Sequence, residues 1–223
     1  MNPYREKAAE IEQLLNLKRP IVAISFKQES GKGLKRFDGS VSASCVFWTQ
    51  ALDKSFSTVK EQHLNCSIGS VTHGFRKHEE IAPGKGCADV DYFIDLGWVS
   101  AEDISKLPTY AHESKTVSYG PLRDVDFKPD ACCIFCNAEQ ALFLMTATQH
   151  MIIGKPACAA LPVALNNKTT VISLGCTASR TRAGYGPDEL VAFIPGEKIE
   201  EVFNSLRRVV NIERAVAKAA KGG

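Results

Sequence analysis

Eight cysteines stand in a chain of 223 residues, and four of them fall into a repeated arrangement. Cys45 sits near the head of the apolar run SASCVFWTQALDK, and Cys158 near the head of PACAALPVALNNK. Each run is followed by a second cysteine, Cys66 or Cys176, and each second cysteine by a glycine eight residues on, Gly74 or Gly184. Thiolates are soft ligands for zinc and for iron–sulfur clusters, and they are also nucleophiles. The pattern therefore points to metal, cluster or thiol chemistry, against the plain alternative that free cysteines serve as small core hydrophobes.

Local signals put the first thiol of each pair at a helix start. Ser42 or Ser44 caps a helix whose first turn holds Cys45, and Pro156 suits a first helical position just before Cys158. The positive end of a helix dipole at these thiols is expected to lower their pKa and favour the thiolate. Cys133 and Cys136 form a C-x-x-C, but the surrounding ACCIFC reads as a strand. Residues three apart on a strand point to opposite faces and do not chelate one ion.

Three chemistries remain open for the quartet Cys45, Cys66, Cys158 and Cys176. Structural zinc usually draws on closely spaced cysteine pairs, which the quartet lacks. A [4Fe–4S] cluster takes one thiolate per iron and tolerates ligands from four distant loops. The third is metal-free nucleophilic catalysis by Cys45 or Cys158. Arg180, Arg182 and His73 follow the second cysteines closely, as charge compensation for a cluster or as binders of a small anionic molecule. G-x-S-x-G, H-E-x-x-H and G-x-G-x-x-G are all missing from the sequence.

The elements that must position these residues read as α/β. The chain is 44% hydrophobic, enough for a substantial core. A first helix sets Tyr4, Ala8, Ile11, Leu14 and Leu15 on one face, and the segment from Glu197 does the same with Ile199, Val202, Phe203, Leu206 and Val210. PIVAISF and DACCIFC are buried strands, and KTVSYGPLRDV and ELVAFIPGEKI each run a strand into a proline turn. TTVISLG leads to Cys176, while the poorer strand STVKEQHLN precedes Cys66 with three extra residues.

These parallels divide a single α/β domain, residues 1–223 with a mixed sheet, into halves of about 19–125 and 130–212. A pseudo-twofold axis between such halves would bring the four cysteines together. The middle, roughly 75–113, offers no such pattern, and His78, Cys87 and His112 read as incidental.

With 27 basic and 25 acidic side chains, the balance argues against nucleic acid or a membrane surface as partner. The amphipathic N-terminus is unlike a signal peptide, so the expected compartment is the cytoplasm, where a disulfide framework is disfavoured.

The segments SASCVFWTQAL, LNCSIG, HGF, PACAALPVAL and GCTASRTRAGYGPDELVAFIP resemble the archaeal and bacterial domain-of-unknown-function family one hundred and sixty-nine, many of whose members come from anaerobes. The resemblance implies that Cys45, Cys66, Cys158 and Cys176 occupy the family's recurrent cysteine positions, and that Cys87, Cys132, Cys133 and Cys136 do not. Lys54, Ser67 and Ile68 stand where the family pattern has glycines. No activity comes with the resemblance. The expected function is [4Fe–4S] binding with a small molecule or redox partner and, if the protein is an enzyme, an oxidoreductase or lyase. The alternatives are a zinc or soft-metal sensing module and a metal-free thiol enzyme.

Overall fold

The computed structural model describes residues 2–154 and 156–221. In chain order the first half comprises α1 (Arg5–Leu14), β1 (Val22–Ser25), α2 (Cys45–Gln50), β2 (Phe56–Val59), α3 (Lys60–His63), α4 (Ser67–Thr72), α5 (Ala88–Asp95), α6 (Ala101–Ser105) and β3 (Thr116–Pro121). The second comprises β4 (Ala131–Cys136), α7 (Ala138–Ala147), β5 (His150–Ile153), α8 (Ala160–Asn167), β6 (Thr170–Ser173), α9 (Thr177–Ala183), β7 (Leu190–Pro195) and α10 (Ile199–Lys221).

The seven strands form one mixed sheet in the order β2-β3-β1-β4-β7-β6-β5, with β5 and β6 parallel and the other neighbours antiparallel. Read outward from the centre, β1-β3-β2 on one side repeats as β4-β7-β6 on the other. The central β1 and β4 run antiparallel, as a twofold normal to the sheet requires of its two innermost strands. The register repeats as well. Pro121 pairs with Val22, the first residue of β1, and Pro195 pairs with Ala131, the first residue of β4.

Strand alternation sends side chains into two cores. One face buries Ala23, Cys132, Ile134 and Ile194 under α1, α7 and α10, with Ile11, Leu144 and Phe203 among the contributors. The five apolar residues expected on one face of α10 are all buried there. Full burial of such a side chain is worth about 1.5–3 kcal/mol, so this helix anchors the rear layer. The other face buries Ile24, Tyr119, Cys133, Phe135 and Phe193 under α2, α4 and α8.

The C-x-x-C is split accordingly. Cys133 lies in the front core, whereas Cys132 and Cys136 lie in the rear one. α2 straddles the central seam: Phe47 stacks on Tyr119 of the first half (5.8 Å), and Trp48 meets Phe193 of the second edge-on (4.8 Å).

Candidate functional site

The front layer places the four thiols by two local devices. Cys45 is the first residue of α2, and Cys158 lies in the 3-10 turn Ala157–Ala159 that leads into α8. Cys66 and Cys176 are themselves the N-caps of α4 and α9. Each cap sulfur accepts a hydrogen bond from the backbone N–H three residues on, Gly69 at 3.3 Å and Ser179 at 3.4 Å. The two capped helices end alike, with Gly74 (φ +76°) and Gly184 (φ +67°) in the left-handed conformation that glycine adopts without strain. The recurrent interval from cysteine to glycine thus spans a helix from its cap to its stop.

The halves then cross. α2, bearing Cys45, packs on α9, capped by Cys176, and α4, capped by Cys66, packs on the turn that bears Cys158. All four thiols consequently line one cavity of about 50 Å³, walled by Ile68, Phe93, Trp98, Val99 and Pro156 and flanked by Asp89 and Arg182. Cavities for organic ligands run to about 300–1,000 Å³, so this one takes only a compact group.

The electrostatics overturn the expected effect of the helix starts. Burial pushes the Cys45 thiol far up, the neighbouring Cys66 and Cys176 push it further, and Arg182 works in the opposite sense. Burial likewise raises Cys66, against hydrogen bonds from the Ser44 and Gly69 backbones. Cys158 is raised by burial and then by Cys66, Cys176 and Cys45, with the Thr72 hydroxyl opposing. A helix terminus contributes roughly 0.3–1 kcal/mol, less than one pKa unit, whereas full burial shifts a group by as much as about 3–5 units. Burial wins at Cys45, Cys66 and Cys158, and these three thiols stay protonated at neutral pH unless a cation enters among them.

Of the cations expected near the thiols, only Arg182 lines the cavity. It gives one N–H to the Ser42 carbonyl at 3.3 Å and lies 6.0 Å from the centre of the Phe93 ring. Arg180 is occupied elsewhere. Its guanidinium donates to the carbonyls of Gly186, Leu174 and Glu189, which ties down the loop after α9.

His73 is not at the cavity wall. It is fully buried, its Nδ1 lies 2.8 Å from the Gly69 carbonyl oxygen, and its ring packs beside His63 and Trp48. Burial lowers its pKa to about 4, helped by His112 and opposed by the Gly69 hydrogen bond. A buried neutral imidazole does not recognise an anion, so His73 is a core residue and not the anion binder expected from its place after Cys66.

The sequence reading missed the residues that close the cavity from the middle of the chain. Asp89, on α5, accepts from the Ser67 backbone N–H at 3.0 Å and the Ser67 hydroxyl at 2.6 Å, which pins α5 to the start of α4. Phe93 stacks on Trp98 (5.2 Å, 9°), forming an aromatic wall. The signal for it was the aromatic run DYFIDLGWV in an otherwise polar segment. Cys87 does not line the cavity; it precedes α5, and its thiol lies 3.6 Å from the Glu80 carbonyl.

The chain is 27% identical to "Uncharacterized protein MJ0308" of Methanocaldococcus jannaschii, in an alignment covering 92% of this chain and 94% of that protein. No solved structure matches it significantly. The family model DUF169, described as "Uncharacterised ArCR", matches residues 10–205, a span that contains all four cavity cysteines, and the chain therefore belongs to that family.

Proposed function

We propose that Cys45, Cys66, Cys158 and Cys176 together hold one [4Fe–4S] cluster in a cytoplasmic electron-transfer or redox protein. The observation that carries this reading is the convergence of four thiols, two from each half, on one small apolar cavity. The donor set fits. Four thiolates supply one ligand to each iron, and N–H groups from Gly69 and Ser179 already point at two of the sulfurs, as hydrogen bonds that tune cluster potential do. Arg182 offsets part of the negative charge.

Zinc needs its thiolates within about 2.3 Å of one ion. A cluster spreads its thiolates wider because each binds a different iron, so the metal and sulfide content separates the two. The raised thiols argue against metal-free nucleophilic catalysis, which requires a thiolate at neutral pH.

When bound, a cluster closed by four cysteines supplies one-electron chemistry. The chain's contribution is to exclude water with Ile68, Phe93 and Val99, to aim N–H donors at sulfur, and to set the charge with Arg182 and Asp89. The test is anaerobic purification of Cys176→Ala and Cys133→Ala beside the unaltered protein. Cys176→Ala loses most of the iron and acid-labile sulfide, and Cys133→Ala keeps both. Equal retention in the two variants refutes the quartet.

A further inference from the structure

A second cavity, of about 330 Å³, abuts the thiol cavity and shares Ile68, Trp98, Val99 and Pro156 with it. Unlike its neighbour it has the size of an organic-ligand site. Its remaining walls are mainly apolar, with Ile104, Leu107 and Val163 prominent. The ionic groups nearby differ in what they have left to offer. Asp103 accepts from the Ser100 N–H at 2.7 Å and the Ser100 hydroxyl at 2.9 Å, and Asp89 is engaged by Ser67.

Arg182, at the thiol cavity, uses one N–H on Ser42 and has further donors to give, since a guanidinium carries five. Lys106 lines the outer cavity, paired to Glu102 in an exposed i,i+4 bridge of a kind worth only about 0.3–0.5 kcal/mol, and so is readily redirected.

The origin of these walls points the same way. Trp98, Val99, Asp103, Ile104, Lys106 and Leu107 all lie between α4 and β3, in an excursion of some forty residues. The corresponding link in the second half, between α9 and β7, covers only Gly184–Glu189. The added chain folds over the thiol cavity and builds the outer one.

We propose that this outer cavity binds a small organic acid, a carboxylate on a flat aromatic or branched aliphatic body. The body lies against Trp98, and the carboxylate extends past the shared wall of Val99 and Pro156 toward the guanidinium of Arg182, which lines the thiol cavity and not the outer one. The ligand's position relative to a cluster rests on the function proposed above; the cavity and its preference for an anion do not.

The probes are 2-naphthoate, 2-naphthol and 2-naphthylmethylammonium, titrated by calorimetry into the anaerobically purified full-length protein and located in co-crystals. Naphthoate is expected to bind saturably against Trp98 and at least tenfold more tightly than the ammonium. Val163→Trp, which fills the cavity from its rim, weakens naphthoate at least tenfold. Arg182→Gln weakens naphthoate and spares naphthol. Equal binding of the three probes by the unaltered protein, or a co-crystal with naphthoate away from Trp98, overturns the proposal. Cys176→Ala separates the two claims, since it is expected to lose iron yet still bind naphthoate. Iron without naphthoate binding sinks the organic-acid site alone, and naphthoate binding without iron sinks the cluster alone.

Discussion

The two halves of the sheet share a strand order, a proline register and a capping device, yet differ in what they add. In each, a thiol opens a helix after the first strand, and a second thiol caps a helix that ends on a left-handed glycine. The first half adds α3 before Cys66 and the α5–α6 excursion after α4, while the second inserts α7 and β5 before Cys158. Their cores differ too. The first half buries His63, His73 and Tyr119, and the position of Tyr119 two residues before the strand-ending proline belongs to Phe193 in the second. Repeated parts place the sulfurs, and unrepeated parts shape what surrounds them.

The equivalence of the thiols is the most breakable part of that comparison. If the halves contribute alike, Cys66→Ala and Cys176→Ala each lower bound iron about tenfold in anaerobic preparations. A variant that keeps its full iron content shows that its half supplies no ligand.

The buried histidines give the next effect, confined to the first half. Burial lowers His63 well below its ordinary value and His73 to about 4, so the unfolded chain binds more protons at these sites than the folded one. Stability is therefore complete above about pH 6.5 and declines as pH falls toward 4, with His73 alone contributing on the order of 3 kcal/mol to the loss. Urea midpoints from pH 7 to pH 4 read it out. His73→Gln is expected to flatten the slope, and an unchanged slope contradicts the assignment.

Smaller still is the contrast between the third residues of the two capped helices. A Cβ on Gly69 would stand 2.7 Å from both the Cys66 sulfur and the Ser44 Cβ. Gly69→Ala is therefore expected to cost roughly 1–3 kcal/mol and to loosen iron binding. At the matching place, Ser179 Oγ accepts from the Cys176 N–H at 2.9 Å and donates to its carbonyl at 2.7 Å. Ser179→Ala should cost only about 0.5–2 kcal/mol, read as a denaturant midpoint, with most iron retained. A larger loss of iron from Ser179→Ala than from Gly69→Ala reverses the account of which helix start is tight.

Much of this was legible in the sequence because it is local. Cysteine, strand and glycine recur at intervals set by helix and strand geometry, and ACCIFC alternates between faces whatever it packs against. The roles of His73 and Arg180 were not legible. Proximity in sequence to Cys66 and Cys176 said nothing of burial, and one is sealed into the core while the other is consumed by three backbone carbonyls. The sign of the thiol shifts was missed for a related reason. A helix start is visible in a sequence, whereas desolvation by Phe93, Trp98 and Val99 depends on a distant excursion folding back. That excursion carries no repeat to betray its function.

The central claim is that four sulfurs distant in sequence bind one iron–sulfur group between the halves. Iron, acid-labile sulfide and zinc counted together on the anaerobically purified chain test it most directly. The account predicts a brown protein with about four iron and four sulfide per chain and little zinc, as a [4Fe–4S] group requires. A colourless protein with one zinc per chain and no sulfide contradicts it.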